Sequence, residues 1–219
     1  MTHPQAAALR HGIEALALTL PEGSETRLLD YLDLIGRWNQ VYNLTAIRDP
    51  QQMLSQHLLD CLAVVAPLRR QAAALGHADD LRLLDVGSGA GLPGVVLALA
   101  NPGWQVSCVD TVAKKATFIR QAAAELGLKN LHGVHARVEA MAADPFQMVT
   151  SRAFASLVDF ISLTRERLAP GGCWAAMKAK LSSEERGAVP TDVQVFHVEP
   201  LQVPGLDAER CIVWMQPAA

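Results

Sequence analysis

The sequence predicts an α/β protein: a mostly parallel seven-stranded sheet with helices on both faces, preceded by a helical N-terminal extension. Three observations predict it. Before about residue 80 the apolar residues recur at helical spacing with no strand signal. After it, short apolar runs alternate with helical patterns, and the first such run leads at once into a glycine-rich turn. Strand–helix alternation of this kind buries both faces of a parallel sheet under helices. The expected division is residues 1–78 for the extension and 79–219 for the sheet domain.

Within the extension, Leu28, Leu32, Ile35, Trp38 and Tyr42 follow the three-to-four spacing of one buried helix stripe. Gly36 inside that stripe should cost about 1 kcal/mol against Ala, which points to a close contact there. Asp49-Pro50 reads as an N-cap followed by proline at the first helical position. That second helix is expected to reach residue 67 and to bury Leu54, Leu58, Cys61, Leu62 and Val65. Beyond it, strands are predicted at residues 82–86, 105–109, 131–135, 148–151 and 173–178. Helices are predicted at 92–100, from 112 to a stop at Gly127, and at 157–168 before Pro170-Gly171-Gly172. Residues 193–198 and 211–215 have no convincing helix between them and are expected to close the sheet as antiparallel strands.

Of the 219 residues half are hydrophobic and 19% are charged, which supports a sizeable core and excludes wholesale disorder. The start lacks the pattern of a secretory signal, and no apolar run reaches the roughly 18 residues of a membrane span. No membrane association is therefore expected. The four cysteines have no metal-ligand spacing. Cys108, Cys173 and Cys211 lie in strand-like runs, as small buried hydrophobes do. A cytoplasmic protein without a metal is the simple reading. A formal net charge of −3 excludes a wholly basic nucleic-acid binder but permits a basic patch on one face.

The strongest local signal is Leu83-Leu84-Asp85-Val86-Gly87-Ser88-Gly89-Ala90-Gly91-Leu92-Pro93-Gly94, which follows a strand and opens a helix. That is the context of a nucleotide-binding loop. Gly89, Gly91 and Gly94, with acidic Asp110 ending the next strand, also fit a dinucleotide fingerprint. Asp85 argues against a dinucleotide. Two residues before the first glycine it would project a negative charge at the ligand, repelling a pyrophosphate but not a cationic sulfonium.

Asp-x-Gly-x-Gly-x-Gly followed by an acidic residue after the second strand resembles the Rossmann-like S-adenosylmethionine-dependent methyltransferases. Further motifs narrow the resemblance: Arg37-Trp38-Asn39-Gln40-Val41-Tyr42-Asn43-Leu44-Thr45, Arg48-Asp49, His57-Leu58-Leu59-Asp60, Arg137-Val138-Glu139, Ser151-Arg152-Ala153-Phe154-Ala155-Ser156-Leu157 and Leu201-Gln202-Val203-Pro204. In order and spacing they resemble the bacterial methyltransferase G family of small-subunit ribosomal RNA, over roughly residues 28–215. The resemblance implies methylation of N7 of guanine 527, in the 530 loop of 16S ribosomal RNA, with S-adenosylmethionine as methyl donor. It assigns Gly87, Gly89, Gly91 and Leu92 to the methyl donor, Asp110 to the ribose, Val138 and Glu139 to the adenine, and Arg152 to the donor as well. Cys61, Ala179, Ala208 and Cys211 depart from the family's usual Ser, Gly, Gly and His, and the Cβ of Ala179 would narrow the substrate side.

N7 of guanine has an in-plane lone pair and no proton, so its attack on a methyl group requires no general base. The catalytic demand is alignment of N7, methyl carbon and sulfur. Arg152 is accordingly expected to orient a substrate, not to exchange protons. The candidate RNA contacts are Asn39, Asn43, Thr45, Arg48, His57, Lys178 and Lys180. Four of these have plain structural readings beside the functional one: His57 as a packed or capping histidine, and Asn39, Asn43 and Thr45 as residues that satisfy a helix end. Asp60, one helical turn from His57, is expected to orient it. The basic run Lys114, Lys115 and Arg120 reads as a solvated face.

The expected partner is 16S ribosomal RNA in a folded or partly assembled small subunit, met by a monomer. A nicotinamide-dependent dehydrogenase and a non-catalytic RNA-binding factor are the rivals from other classes. Within the enzyme class the rivals are another RNA position or a small-molecule acceptor.

Overall fold

In the computed structural model, which describes residues 3–152, 154 and 156–218, the strands are β1 (Arg82–Val86), β2 (Gln105–Asp110), β3 (Leu131–His135), β4 (Phe146–Arg152), β5 (Leu168–Lys178), β6 (Val193–Leu201) and β7 (Arg210–Pro217). They form one sheet in the order β3-β2-β1-β4-β5-β7-β6. β1 to β5 are parallel, and β7 pairs antiparallel with both β5 and β6. The helices are α1 (Ala6–Ala15), α2 (Ser24–Tyr42), α3 (Pro50–Met53), α4 (Asp60–Leu62), α5 (Val65–Ala74), α6 (Gly94–Ala100), α7 (Ala113–Glu125), α8 (Leu157–Thr164) and α9 (Ser183–Gly187).

Alternation along each strand divides the core into two layers. Leu83, Val106, Cys108 and Met148 pack beneath α1, α2, α5, α6 and α7. Leu84, Val109, Val149 and Trp174 face the other way, against Leu157, Phe160 and Ile161 of α8. The helices before residue 75 thus share one continuous core with one face of the sheet. No described helix is long and apolar enough to cross a membrane.

Several local expectations change. Leu28, Leu32 and Ile35 are buried as the stripe predicts, but it ends at Trp38, which packs edge-on against Phe118 at 5.3 Å, and Tyr42 is exposed. Gly36 makes no close contact, since a Cβ there would meet open space. Asp49 caps its helix, accepting from Gln52 N at 2.9 Å, and Leu54, Leu58, Cys61, Leu62 and Val65 are all buried. The helix nevertheless passes through a π-helical stretch, Leu54–Leu59, and breaks after Leu62. Pro67 lies in the first turn of α5 instead of ending the preceding helix, because its missing N–H costs nothing there. α8 stops at Thr164, and Pro170-Gly171-Gly172 falls inside β5, where the register against β4 shifts. α1 falls within the predicted helical extension but was not placed individually, and α9, capped by Ser182 accepting from Glu185 N at 3.1 Å, was not predicted.

The strand order reverses between β1 and β4. Ligands of open α/β sheets bind in the crevice at such a point, outside the carboxyl ends of the strands. Asp85 of β1 pairs with Thr150 of β4. Gly87 and Arg152, two residues further on, therefore leave the sheet side by side.

Candidate functional site

The glycine loop is braced from three sides. Asp85 accepts from Gly94 N at 2.9 Å, Asp110 from Gly89 N at 3.0 Å, and Ala90 O accepts from the Tyr31 hydroxyl at 2.5 Å. Gly94 lies so near β1 and β2 that a Cβ would run into Cys108 Sγ and the Asp85 carboxylate. Gly91 has φ +84°, a conformation that side chains other than hydrogen strain. Leu92 is buried beneath the turn.

Asp85 corrects an expectation. Its carboxyl is completely buried behind the loop and does not present a charge to a ligand's side of it. Burial pushes its pKa up to about 7, with the Gly94 N–H acting in the opposite direction. Its second oxygen, Oδ1, has no partner among the described residues. Alternation along β1 puts Asp85 on the same face as Leu83, so its side chain points into the layer between sheet and α6, toward Gly94, while the glycine turn continues from the strand end.

Asp110, by contrast, ends β2 at the rim. Its Oδ2 accepts from Gly89 N and lies 3.6 Å from Lys115 Nζ; its Oδ1 accepts from Val112 N at 2.9 Å. Each carboxylate oxygen has a second lone-pair direction, so capacity remains for a ligand. Lys115 is thereby drawn out of the solvated run it was assigned to. After β3 a single 3₁₀ turn, Val138–Ala140, buries Val138 and leaves Glu139 exposed beside Arg137. The carboxyl ends of four adjacent strands thus carry Gly87, Asp110, the Val138-Glu139 turn and Arg152. Phe154 lies against Gly87, about 4.0 Å from where a Cβ would stand, and packs on Phe160 at 5.5 Å between ring centres.

Next to this edge a cleft of about 520 Å³ is lined by Ile47, His57, Asp60, Arg152, Lys178, Lys180 and Arg210 among others. Asp60 does not orient His57. Its two oxygens accept from Arg152 Nη1 at 3.3 Å and Arg210 Nε at 2.9 Å, two cations that hold a buried carboxylate more strongly than a neutral imidazole would. Arg152 Nη1 also donates to the Gln56 carbonyl at 2.8 Å. His57 is buried, with Nε2 3.0 Å from the Thr45 hydroxyl and Nδ1 without a partner among the described residues. Burial, then the nearby Arg152 charge, pull its pKa down to about 4, so it is neutral at pH 7. Lys178 is paired with Glu185 at 2.7 Å, whereas Lys180 is exposed.

The expected RNA contacts do not form one set. Asn39 is buried and its amide is spent on the turn, accepting from Thr45 N and donating to Ile47 O. A side chain so enclosed binds its own loop, not a polymer. Asn43 adopts φ +48° and accepts from Arg48. Arg48 and Asn39 border a separate groove of about 1020 Å³ between the chain's start, α2 and the end of α7. Only His57, Lys178 and Lys180 reach the cleft at the sheet edge. Among the described residues no group of three or more metal-ligating side chains comes together.

The strand order, the reversed final pair and the braced glycine loop define the class: this is the Rossmann-like fold of S-adenosylmethionine-dependent methyltransferases. A methyltransferase structure from Aquifex aeolicus described as S-adenosylmethionine-dependent superposes with a TM-score of 0.53 at 16% identity, covering 78% of this chain and 99% of that one. TrmN from Thermus thermophilus gives 0.56 at 19%, covering 75% of this chain and 53% of that one. Sequence narrows the class to one family. Residues 24–213 match the model of rRNA small subunit methyltransferase G, and the chain belongs to that family. The ribosomal RNA small subunit methyltransferase G of Methylibium petroleiphilum is 61% identical over 210 residues, 96% of this chain and 93% of that protein.

Three residues escaped the sequence reading. Tyr31 lies three residues after Leu28 and four before Ile35 and is buried on that face of α2, yet it stood outside the predicted stripe, and nothing local marks its partner. Phe154 stood in a quoted motif without a role. Arg210 carried no signal at all, because its partner Asp60 is 150 residues away in sequence.

Proposed function

We propose that the protein methylates N7 of guanine 527, in the 530 loop of 16S ribosomal RNA, taking the methyl group from S-adenosylmethionine by direct in-line transfer. The observation that carries this reading is Arg152. It leaves the sheet beside the glycine loop and also lines the cation-rich cleft, with its Nη1 fixed by Gln56 O and Asp60. A guanidinium so held is suited to orienting a purine or phosphate and cannot act as a base. The cleft's other titratable groups suit a reaction without proton removal. His57 is a weak base of pKa about 4, and Asp60 is committed to two arginines.

In this reading the methyl donor lies over Gly87, Gly89 and Gly91, with Leu92 below, Asp110 toward the ribose and Val138 and Glu139 beside the adenine. Asp85 works from behind by holding Gly94. The residues present fit such a group, since Asp110 keeps free acceptor capacity at the rim and the loop is already braced. Bound S-adenosylmethionine supplies the electrophilic methyl; the chain's part is to bind, align and exclude water. The extension, residues 1–78, caps the substrate side of the domain formed by 79–219. The guanine must reach the cleft outside a duplex stack, presented by folded RNA or a partly assembled subunit, and a monomer suffices. Mapping N7-methylguanine by base-specific chain cleavage on 16S RNA from cells with and without the protein tests this. One modified guanine should vanish from the 530 loop, and an unchanged loop would refute the assignment.

A further inference from the structure

Asp60 is the sole carboxylate among the described residues lining the cleft, and only 3% of it is exposed. It joins three remote parts of the chain: the extension, Arg152 at the end of β4 and Arg210 at the start of β7. One carboxylate cannot neutralise two guanidinium groups. Lys178 is balanced by Glu185, while Lys180 has no acidic partner among the described residues. The cleft is therefore left with an excess of about two positive charges in an acidic protein.

The donors are also directed. Arg152 spends Nη1 on Gln56 O and Asp60, and Arg210 spends Nε on Asp60 and Nη1 on Glu209 O at 2.9 Å. Among the described residues, Nη2 of each guanidinium and Nε of Arg152 remain for a ligand. Two planar forks anchored on opposite oxygens of one carboxylate cannot rotate independently. Preorganised N–H groups with net positive charge suit a tetrahedral dianionic or monoanionic oxygen cluster better than a neutral base.

We propose that Arg210, with Lys180, forms a phosphate subsite for the RNA backbone next to the target nucleotide, and that Asp60 is the positioning residue which aligns it with Arg152. This rests on the RNA methyltransferase reading above. Arg210 grips the backbone at a fixed distance from the side chain that orients the reacting base, so the register of the RNA in the cleft is set by a single buried carboxylate.

The test uses the full chain with 16S RNA transcript and small ribosomal subunits, comparing wild type, Arg210→Ala, Arg210→Lys and Asp60→Asn. RNA affinity is measured from about 0.05 to 0.3 M salt, methyl-donor affinity by calorimetry, and folding by thermal unfolding. Arg210→Ala should weaken RNA binding at least about tenfold at low salt and flatten the log–log salt slope by somewhat under one unit, the release of one counterion. Arg210→Lys should restore the slope but not the full turnover, and methyl-donor affinity should stay within about twofold in both. Asp60→Asn should lower turnover on RNA more than it lowers affinity, because both forks lose their alignment. If that variant fails to fold, the Arg210 pair decides. An unchanged RNA affinity and salt slope in Arg210→Ala, with only a lower thermal midpoint, would reduce the cluster to a structural clamp and overturn the proposal. Wild-type protein that binds RNA through Arg210 yet leaves guanine N7 unmethylated would refute the functional reading and not the subsite.

Discussion

Tyr31 donates its hydroxyl hydrogen to the Ala90 carbonyl across 2.5 Å, tying the middle of α2 to the glycine loop 59 residues later. The ring is buried against Phe118, and burial holds the phenol's pKa well above its ordinary value, so it stays a donor at any working pH. The helical extension is thus mechanically part of the loop it packs against. Tyr31→Phe should lower unfolding free energy by about 1 kcal/mol, the net value of a hydrogen bond, and weaken methyl-donor binding several-fold. Urea unfolding and calorimetry on the same protein check both, and unchanged values in each would show the loop to be held elsewhere.

Asp110 is expected to contribute to both loop and ligand. Asp110→Ala should weaken S-adenosylmethionine by about 1.5–3 kcal/mol, the range for charged hydrogen bonds. Asp110→Asn keeps one acceptor for Gly89 N and should fall between. Calorimetry giving wild-type affinity in Asp110→Ala would exclude the ribose role.

The buried carboxyl of Asp85 makes stability depend on pH in a stated direction. Its folded pKa, raised to about 7, exceeds the ordinary carboxylate value, so the contribution is fully present below about pH 4 and is lost as pH rises through 7. Asp85→Asn retains an acceptor for Gly94 N and removes the titration. The stability of the variant relative to wild type should therefore climb between roughly pH 4 and 8, by on the order of 4 kcal/mol. A difference independent of pH in urea titrations would show that Asp85 does not titrate in that window.

His57 has the opposite sign. Its pKa is depressed to about 4, so its contribution is complete above about pH 6.5 and is lost as pH falls through 4. Acid unfolding should be shallower in His57→Gln over that window. Between about pH 6 and 9 the residue stays neutral, and single-turnover methylation at saturating RNA and methyl donor should show no ionisation of a base. A bell-shaped profile that disappears in His57→Gln would make His57 catalytic.

Arg152 separates orientation from charge. Arg152→Ala and Arg152→Lys should each cut methyl transfer at least about tenfold, some 1.4 kcal/mol at the barrier, because lysine keeps the charge and loses the fork. Methyl-donor affinity must be measured alongside. Activity nearly restored in Arg152→Lys, with the Ala defect fading at high RNA, would assign it to backbone charge alone.

The chain's own pattern determined a great deal. Short apolar runs for the five parallel strands, alternation for the last two and 3.6-residue spacing for the long helices located these elements, since burial on both faces or on one leaves its own signature on consecutive residues. Gly87 to Gly94 and Asp110 were legible for the same reason: a tight turn restricts residue type locally, and the acidic residue follows at a fixed distance. Tertiary structure alone decided the rest. Asp85 lies within the loop motif, yet its direction depends on how α6 packs over β1 and β2. Asn39 and Arg48 look like neighbours of His57 in sequence, but the turn at Asn43 separates their groove from the cleft. The Asp60 bridge between Arg152 and Arg210 spans 92 and 150 residues, so no window of sequence contains it. An ion pair that buries one carboxylate between two strand ends exists only because the strand order brings β4 and β7 to either side of β5 and the extension folds across them.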